Sequence, residues 1–308
     1  MVRLAFCCAA ILAAVTSSPV AAGERLNRTI ELLNDNRPAY GAFAFDMSLE
    51  RAMEISAANL DYVFIDMEHR PYDVERLRVF LLGMTNKRRI QEKGSLQMDV
   101  TPIVRLPTSN VTQTEVLAKQ VLNMGAFGLM FPTTSTAEQA LQAVRVSRYP
   151  QARNAADMEP TGLRGFEPFH PGMWYWGLGQ ADYYRLADVW PLDPNGEILV
   201  VIQIENREGV ANIDEILSVP GIGAVMIGSF DLSTSLGVVG EVTGPDVLAA
   251  VDRVVSACVA RGIPVGSTGP GLERKIKSGE LFITVGSSGI RPEERLRLEA
   301  LRPAVKSR

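Results

Sequence analysis

The chain has 308 residues, 46% of them hydrophobic and 21% charged, which supplies enough apolar material for one large core of α/β barrel size. Its 31 Lys and Arg against 35 Asp and Glu give a net charge of −4, and no basic run exceeds Lys87-Arg88-Arg89. Nucleic acid is thereby excluded as an expected partner, and the short basic run reads as a solvated loop.

Met1-Val2-Arg3, the apolar stretch over residues 4–15 and Thr16-Ser17-Ser18-Pro19-Val20-Ala21-Ala22 read as the basic, hydrophobic and small-residue regions of a secretory signal peptide cleaved after Ala22. Residues 23–308 are then a single exported domain, periplasmic or secreted. The apolar stretch is well short of the roughly 20 residues a membrane-crossing helix needs, and no stable span is expected after cleavage. Cys7 and Cys8 leave with the peptide, so the mature chain keeps Cys258 alone and forms no intramolecular disulfide; a buried, inert thiol is the expectation.

From residue 39 onward, short runs rich in Val, Ile and Phe alternate with amphipathic segments, the pattern of repeated βα units around a parallel sheet. Strands are predicted at 40–45, 62–66, 102–106, 128–131, 199–204, 224–227, 264–266 and 282–285. Helices are predicted at 49–58, 115–122, 137–146, 212–217, 246–260 and 272–277. Eight such units point to a (β/α)8 TIM barrel, in which chemistry sits at the C-terminal ends of the strands. Residues 86–100 and 151–195 exceed a minimal barrel and are loop or lid candidates. Trp174-Tyr175-Trp176 in the second either covers a site or packs the insertion onto the barrel or another subunit, and packing is the weightier reading.

Several polar residues fall just past predicted strands. His69, one of only two histidines with His170, follows the run ending at Asp66, with Asp66 and Glu68 close enough to orient it as a base; a structural histidine is the plainer alternative. Arg105 ends an apolar strand, where a guanidinium needs an anion: a substrate carboxylate or enolate, or a mouth carboxylate in a structural salt bridge. Glu205 in Gln203-Ile204-Glu205 and Asp231 in Gly228-Ser229-Phe230-Asp231-Leu232-Ser233 close neighbouring strands, and hard divalent cations favour such paired carboxylates. An ion pair with Arg105, or for Asp231 a capping role, competes with that reading. The crowding of Asp66, Glu68, Glu205 and Asp231 tilts it toward a metal.

Together these blocks resemble the class II, metal-dependent pyruvate aldolases of the 4-hydroxy-2-oxoheptanedioate aldolase (HpcH/HpaI) family. The resemblance runs from about Tyr40 to Gly286, through Tyr62-Val63-Phe64-Ile65-Asp66-Met67-Glu68-His69, Ile103-Val104-Arg105, the stretch Gly125 to Pro132, Arg148-Tyr149-Pro150, Arg164-Gly165 and the two acidic motifs. It implies a barrel of the phosphoenolpyruvate/pyruvate-binding type, with Glu205 and Asp231 holding Mg2+ or Mn2+, Co2+ being a further option. The implied reaction is reversible cleavage of a 4-hydroxy-2-oxo acid to pyruvate, or a similar 2-oxo acid, and an aldehyde through a metal-stabilised enolate. Arg105 would stabilise the enolate oxygen, and His69, with Asp66 nearby, would move the proton of the 4-hydroxyl. Gln203 and the backbone around Gly228, Ser229, Phe230 and Asp231 would position the substrate carboxylate. No Schiff-base lysine is implied, and a trimer or hexamer is expected by analogy.

Three positions depart from the family's pattern. Asn123 stands where relatives carry an acid that supports the catalytic histidine, Ser229 replaces a frequent proline, and Ser288 replaces an acid. These departures and the export signal keep two alternatives open: an exported 2-oxo-acid binding protein with lost or weak turnover, and an oxaloacetate decarboxylase-type enzyme.

Overall fold

Short β-branched runs that are apolar at every position are suited to parallel strands covered on both faces. The computed structural model describes residues 25–302, so the predicted signal peptide over 1–22, with Cys7 and Cys8, lies outside the described residues. The strands are β1 (Ala39–Ala44), β2 (Tyr62–Asp66), β3 (Thr101–Arg105), β4 (Gly128–Phe131), β5 (Val189–Trp190), β6 (Ile198–Ile204), β7 (Ala224–Ile227), β8 (Val265–Ser267) and β9 (Phe282–Thr284). They pair in parallel in the order β8-β7-β6-β4-β3-β2-β1-β9, with β5 attached to β6. The ends of this sheet meet, because the amide of Leu281 donates to the carbonyl of Val265 at 2.9 Å. A β-carbon on Gly266 would overlap the carbonyl oxygen of Phe282, so that seam admits glycine only. Eight strands thus close into a (β/α)8 barrel, with helices around it.

Alternation along each strand divides the core in two. Tyr62, Phe64, Ile103, Met130, Leu199, Val201, Met226 and Phe282 fill the barrel, and Ile30, Leu32 and Leu33 of helix α1 (Arg28–Asn34) plug its lower end. The intervening Val63, Ile65, Val104, Leu129, Val200, Ile202 and Val225 face the outer helices. Full burial of each such large apolar side chain contributes about 1.5–3 kcal/mol. Helix α1, which the sequence reading did not single out, is capped by Asn27, whose side chain accepts from the amide of Ile30 at 3.1 Å. The buried carboxylate of Glu197 accepts from the amides of Leu26 and Asn27 at 3.2 and 2.9 Å, tying this strap to the foot of β6.

The eight predicted strands and the major predicted helices are present to within a few residues at their ends, except that 212–217 shortens to a single turn, Ile213–Ile216. β5 is the addition; two residues are too few to carry a periodic signal. Both insertions connect the end of a helix to the start of the next strand, which places them on the lower face, away from the strand C-termini. Residues 86–100 form the helix Lys87–Lys93 and return under the barrel, where the amide of Met98 donates to the carbonyl of Leu26 at 2.9 Å. In residues 151–195, Trp176 stacks on Phe127 with ring centroids 4.2 Å apart and donates its indole N–H to the carbonyl of Gly125 at 2.9 Å. The lid reading of these segments is therefore corrected: they pack against the foot of the barrel. Cys258 is buried, and burial pushes its thiol up to about 12, which keeps it inert. No helix among the described residues is long and apolar enough to cross a membrane.

Candidate active site

The parity that fills the barrel continues into its mouth. Tyr62 and Phe64 are followed on the same face by Asp66, Ile103 by Arg105, and Leu199 and Val201 by Gln203 and Glu205. Parallel pairing sets Asp66 directly beside Arg105 and Gln203 beside Met226. The result is a cleft of about 850 Å³ over the strand C-termini, lined by His69, Arg105, Gln203, Gly228 and Asp231 among others.

Arg105 is 5% exposed. Its Nε donates to Asp66 Oδ1 at 2.8 Å, and its Nη1 lies 2.9 Å from Glu68 Oε2 in an ion pair turned out of line for a hydrogen bond. The guanidinium also stands 5.0 Å from the ring centroid of Phe43. Both salt-bridge partners come from the β2 end, so the pairing of Arg105 with Glu205 or Asp231 that the sequence allowed is not the one formed.

Glu205 is almost fully buried behind the cleft wall. One carboxylate oxygen accepts from the amide of Thr133 at 2.7 Å, and the other accepts from the side-chain amide of Gln203. A β-carbon on Gly228 would overlap Glu205 Oε2, so glycine is required for the carboxylate to sit there. Burial pushes the Glu205 carboxyl up to about 8; Glu68 and Asp231 push the same way, while the Thr133 amide and Arg105 pull it down. Burial likewise raises Glu68, against Arg105 and His69, with Asp66 and Asp231 adding to the rise. Three carboxylates therefore feel one another across a common space. The buried Oε1 of Gln203 and Oδ2 of Asp66 have no hydrogen-bond partner.

Asp231 lies in the first turn of the helix Ser229–Leu236, exposed to the cleft beside Phe230. The predicted carboxylate-binding amides need revision. The amide of Gly228 donates to the carbonyl of Ile204 at 3.0 Å and that of Ser229 to the hydroxyl of Thr268 at 2.9 Å, which leaves Phe230 and Asp231 to present first-turn N–H groups. Ser229 is buried, and its hydroxyl returns to the carbonyl of Thr268 at 3.0 Å, so it braces the wall rather than facing substrate.

The surroundings of the histidines also differ from expectation. Asp66, aimed inward by strand parity, serves Arg105; the carboxylate beside His69 is Glu68, with Oε2 3.7 Å from Nε2. Asn123, expected to support His69, sits near the end of the helix Thr114–Met124, which runs back down to the lower face. There its Oδ1 accepts from Arg164 at 3.3 Å, and it does not meet His69. His170 is buried on that same face, packed edge-on to Tyr183, and burial together with Arg164 lowers it to about 4. Among the described residues no lysine lines the cleft. Lys275, buried behind it, donates to the carbonyls of Ser267 and Gly269 at 2.6 and 2.7 Å.

Among the described residues, three ligating carboxylates gather only at Asp157, Asp188 and Asp193, far from the mouth. The buried guanidinium of Arg148 already occupies that group, at 2.6 Å from Asp188 and 3.0 Å from Asp157. Thr133, Thr268, Phe43 and Phe45 were missed by the sequence reading. The alternation of Phe43 and Phe45 at the end of β1 was a usable signal; the Thr133 amide gave none.

A profile of the HpcH/HpaI aldolase/citrate lyase family matches residues 41–291. A 5-keto-4-deoxy-D-glucarate aldolase of Escherichia coli is 30% identical over 236 residues, covering 76% of this chain and 79% of that protein. A crystal structure of an HpcH/HpaI aldolase/citrate lyase family protein from Burkholderia cenocepacia superposes with a TM-score of 0.70 at 28% identity, covering 89% and 96% of the two chains. An HpcH/HpaI aldolase from Desulfitobacterium hafniense, at 23% identity and a TM-score of 0.65 over 87% and 92%, shares the fold.

Proposed function

The chain belongs to the HpcH/HpaI aldolase/citrate lyase family and is a carbon–carbon lyase, and from that premise we propose that it cleaves a 4-hydroxy-2-oxo acid reversibly to pyruvate, or a similar 2-oxo acid, and an aldehyde. The observation that carries this reading is the buried Glu205, held in place by Thr133 and Gln203 and crowded by Glu68 and Asp231.

Such a donor set fits a hard divalent cation. Burial and neighbouring carboxylates make the charged form of Glu205 costly, and the partnerless Gln203 Oε1 leaves a further oxygen in the same wall. Glu205 and Asp231 would hold Mg2+, Mn2+ or Co2+. When bound, the cation supplies Lewis-acid polarisation of the 2-oxo group.

The chain's own residues do the rest. Asp66 and Glu68 fix the Arg105 fork, whose remaining N–H groups face the oxygen on which enolate charge develops as the C3–C4 bond breaks. First-turn amides of Phe230 and Asp231 present donors to the substrate carboxylate. His69, at the rim beside Glu68, takes the proton of the 4-hydroxyl and returns it in the synthetic direction.

Purified protein with Mn2+ is expected to release pyruvate from 4-hydroxy-2-oxo acids, and Glu205→Ala to abolish that release. Full activity in the variant would overturn the metal role. The exposure of His69 favours oxaloacetate decarboxylation as a second activity, because that reaction needs the Arg105 end of the site but no base for a hydroxyl. His69→Ala should then impair aldol cleavage far more than decarboxylation.

A further inference from the structure

The aldol reading leaves the aldehyde partner open, and the wall of the cleft beyond Arg105 and Asp231 bears on it. That wall carries Phe43, Phe45, Phe230, Leu272, Val285 and Ile290. Phe43 and Phe45 lie parallel with centroids 5.9 Å apart, and Phe45 and Phe230 remain 48% and 59% exposed, so an apolar surface faces the substrate space.

The two threonine hydroxyls on this side are already engaged. The hydroxyl of Thr268 accepts from the amide of Ser229 at 2.9 Å and donates to the carbonyl of Ile227 at 3.3 Å; that of Thr284 donates to the carbonyl of Ser267 at 3.3 Å. Arg105 is the one Lys or Arg lining the cleft among the described residues, and Asp66 and Glu68 hold it, with its guanidinium 5.0 Å from the ring centroid of Phe43 at the inner end of the wall. Arg70 folds back outside, donating to the carbonyl of His69 at 2.8 Å with its guanidinium over the Phe45 ring. Of the charged side chains that line the cleft beside these apolar residues, Glu294 is an acid, and Arg105 is committed to Asp66 and Glu68.

Resting on the aldolase reading, we infer that the aldehyde partner is uncharged and apolar, aromatic in its best form, and that Phe45 and Phe230 select it. The glucarate-derived substrate named for the Escherichia coli relative carries a carboxylate at each end. Here the second carboxylate would meet phenyl rings and Glu294, while Arg105 is already paired with Asp66 and Glu68 and Arg70 stands outside the lining, so its desolvation is costly. In the synthetic direction, C3 of the pyruvate enolate bonds to the aldehyde carbon, the carbonyl π pair moves to oxygen, and that oxygen gains a proton equivalent to the one lost from C3. The aldehyde's side chain takes no part in this step, so its class is set by the wall alone.

The test supplies Mn2+-loaded protein and pyruvate with two acceptors of one shape, benzaldehyde and 4-carboxybenzaldehyde, and with glyoxylate. Benzaldehyde is expected to have a kcat/KM at least tenfold above either anionic aldehyde, and Phe45→Arg to reverse or erase the gap. Phe45 is half-exposed, so this variant is expected to fold. Exchange of the pyruvate methyl protons with deuterium oxide is followed in parallel, since it needs enolate formation but no aldehyde. Exchange with equal or better use of the anionic aldehydes overturns the inference and leaves the aldolase reading standing. Loss of exchange overturns both.

Discussion

A β-carbon at residue 228 and the Oε2 of Glu205 cannot occupy the barrel mouth together. Gly228→Ala must therefore push Glu205 Oε2 off the side-chain amide of Gln203 or displace the turn that leads to Asp231. Overpacking of this kind costs about 1–3 kcal/mol in stability. A folded variant with Mn2+ affinity reduced on the order of 100-fold is expected by calorimetric titration. Unchanged affinity would separate Gly228 from the carboxylate site.

Arg105→Lys keeps the charge and loses the fork. A lysine cannot reach Asp66 and Glu68 together in the present geometry while also facing the substrate. The expected outcome is a fall in kcat on the order of 10²–10³-fold with a smaller change in KM, read from pyruvate release. A kcat within a few-fold of the parent would show that the guanidinium geometry is not used in the transition state.

Glu197 supplies one part of the pH dependence. Burial lifts its carboxyl from 4.5 to about 7, against the pull of the Asn27 and Leu26 amides and Arg25. Because the folded state holds this proton more tightly than the unfolded chain, the group's contribution is complete below pH 4.5 and is lost as pH rises through about 7. Urea denaturation at pH 5 and pH 8 should show the parent losing on the order of 2–3 kcal/mol relative to Glu197→Gln. Parallel curves for the two proteins would refute the assignment.

Arg148→Met should be among the more damaging single changes. It strips Asp188 of both charge-assisted bonds, at 2.8 and 2.6 Å, and leaves a buried carboxylate with the amide of Val189 alone. Removing one partner of a buried pair costs about 3–5 kcal/mol. Adding Asp188→Asn to the variant should recover part of that loss in a double-mutant cycle, and strict additivity would mean the pair is not coupled.

How much of this was legible in the sequence depended on range. Val63, Phe64 and Ile65, or Val200, Val201 and Ile202, announce a strand within a few residues, and the acids that close such runs fall at the mouth by topology alone. The placement of Arg105, Glu205, Asp231 and His69 at that end of the barrel followed in this way. The need for glycine at 228, the Thr133 amide on Glu205 and the claim of Arg105 on Asp66 are contacts between distant segments, and no local pattern encodes them. Asn123 was misplaced because its supposed link to His69 rested on the resemblance, although the direction of its helix already carried it to the other end of the barrel. Helix α1 shows the reverse case, since Asn27 marks its start locally, yet its seven residues give too short a stretch for a clear helical period.

The two long segments, 86–100 and 151–195, enter strands β3 and β6 from below. Growth or loss of chain there reshapes the outside of the molecule without altering the space offered to a substrate. Outer surface and chemistry are thus carried by separate stretches of this sequence. A change of reactant is to be sought in a handful of positions such as Phe45 and Phe230, and not in the length of the chain.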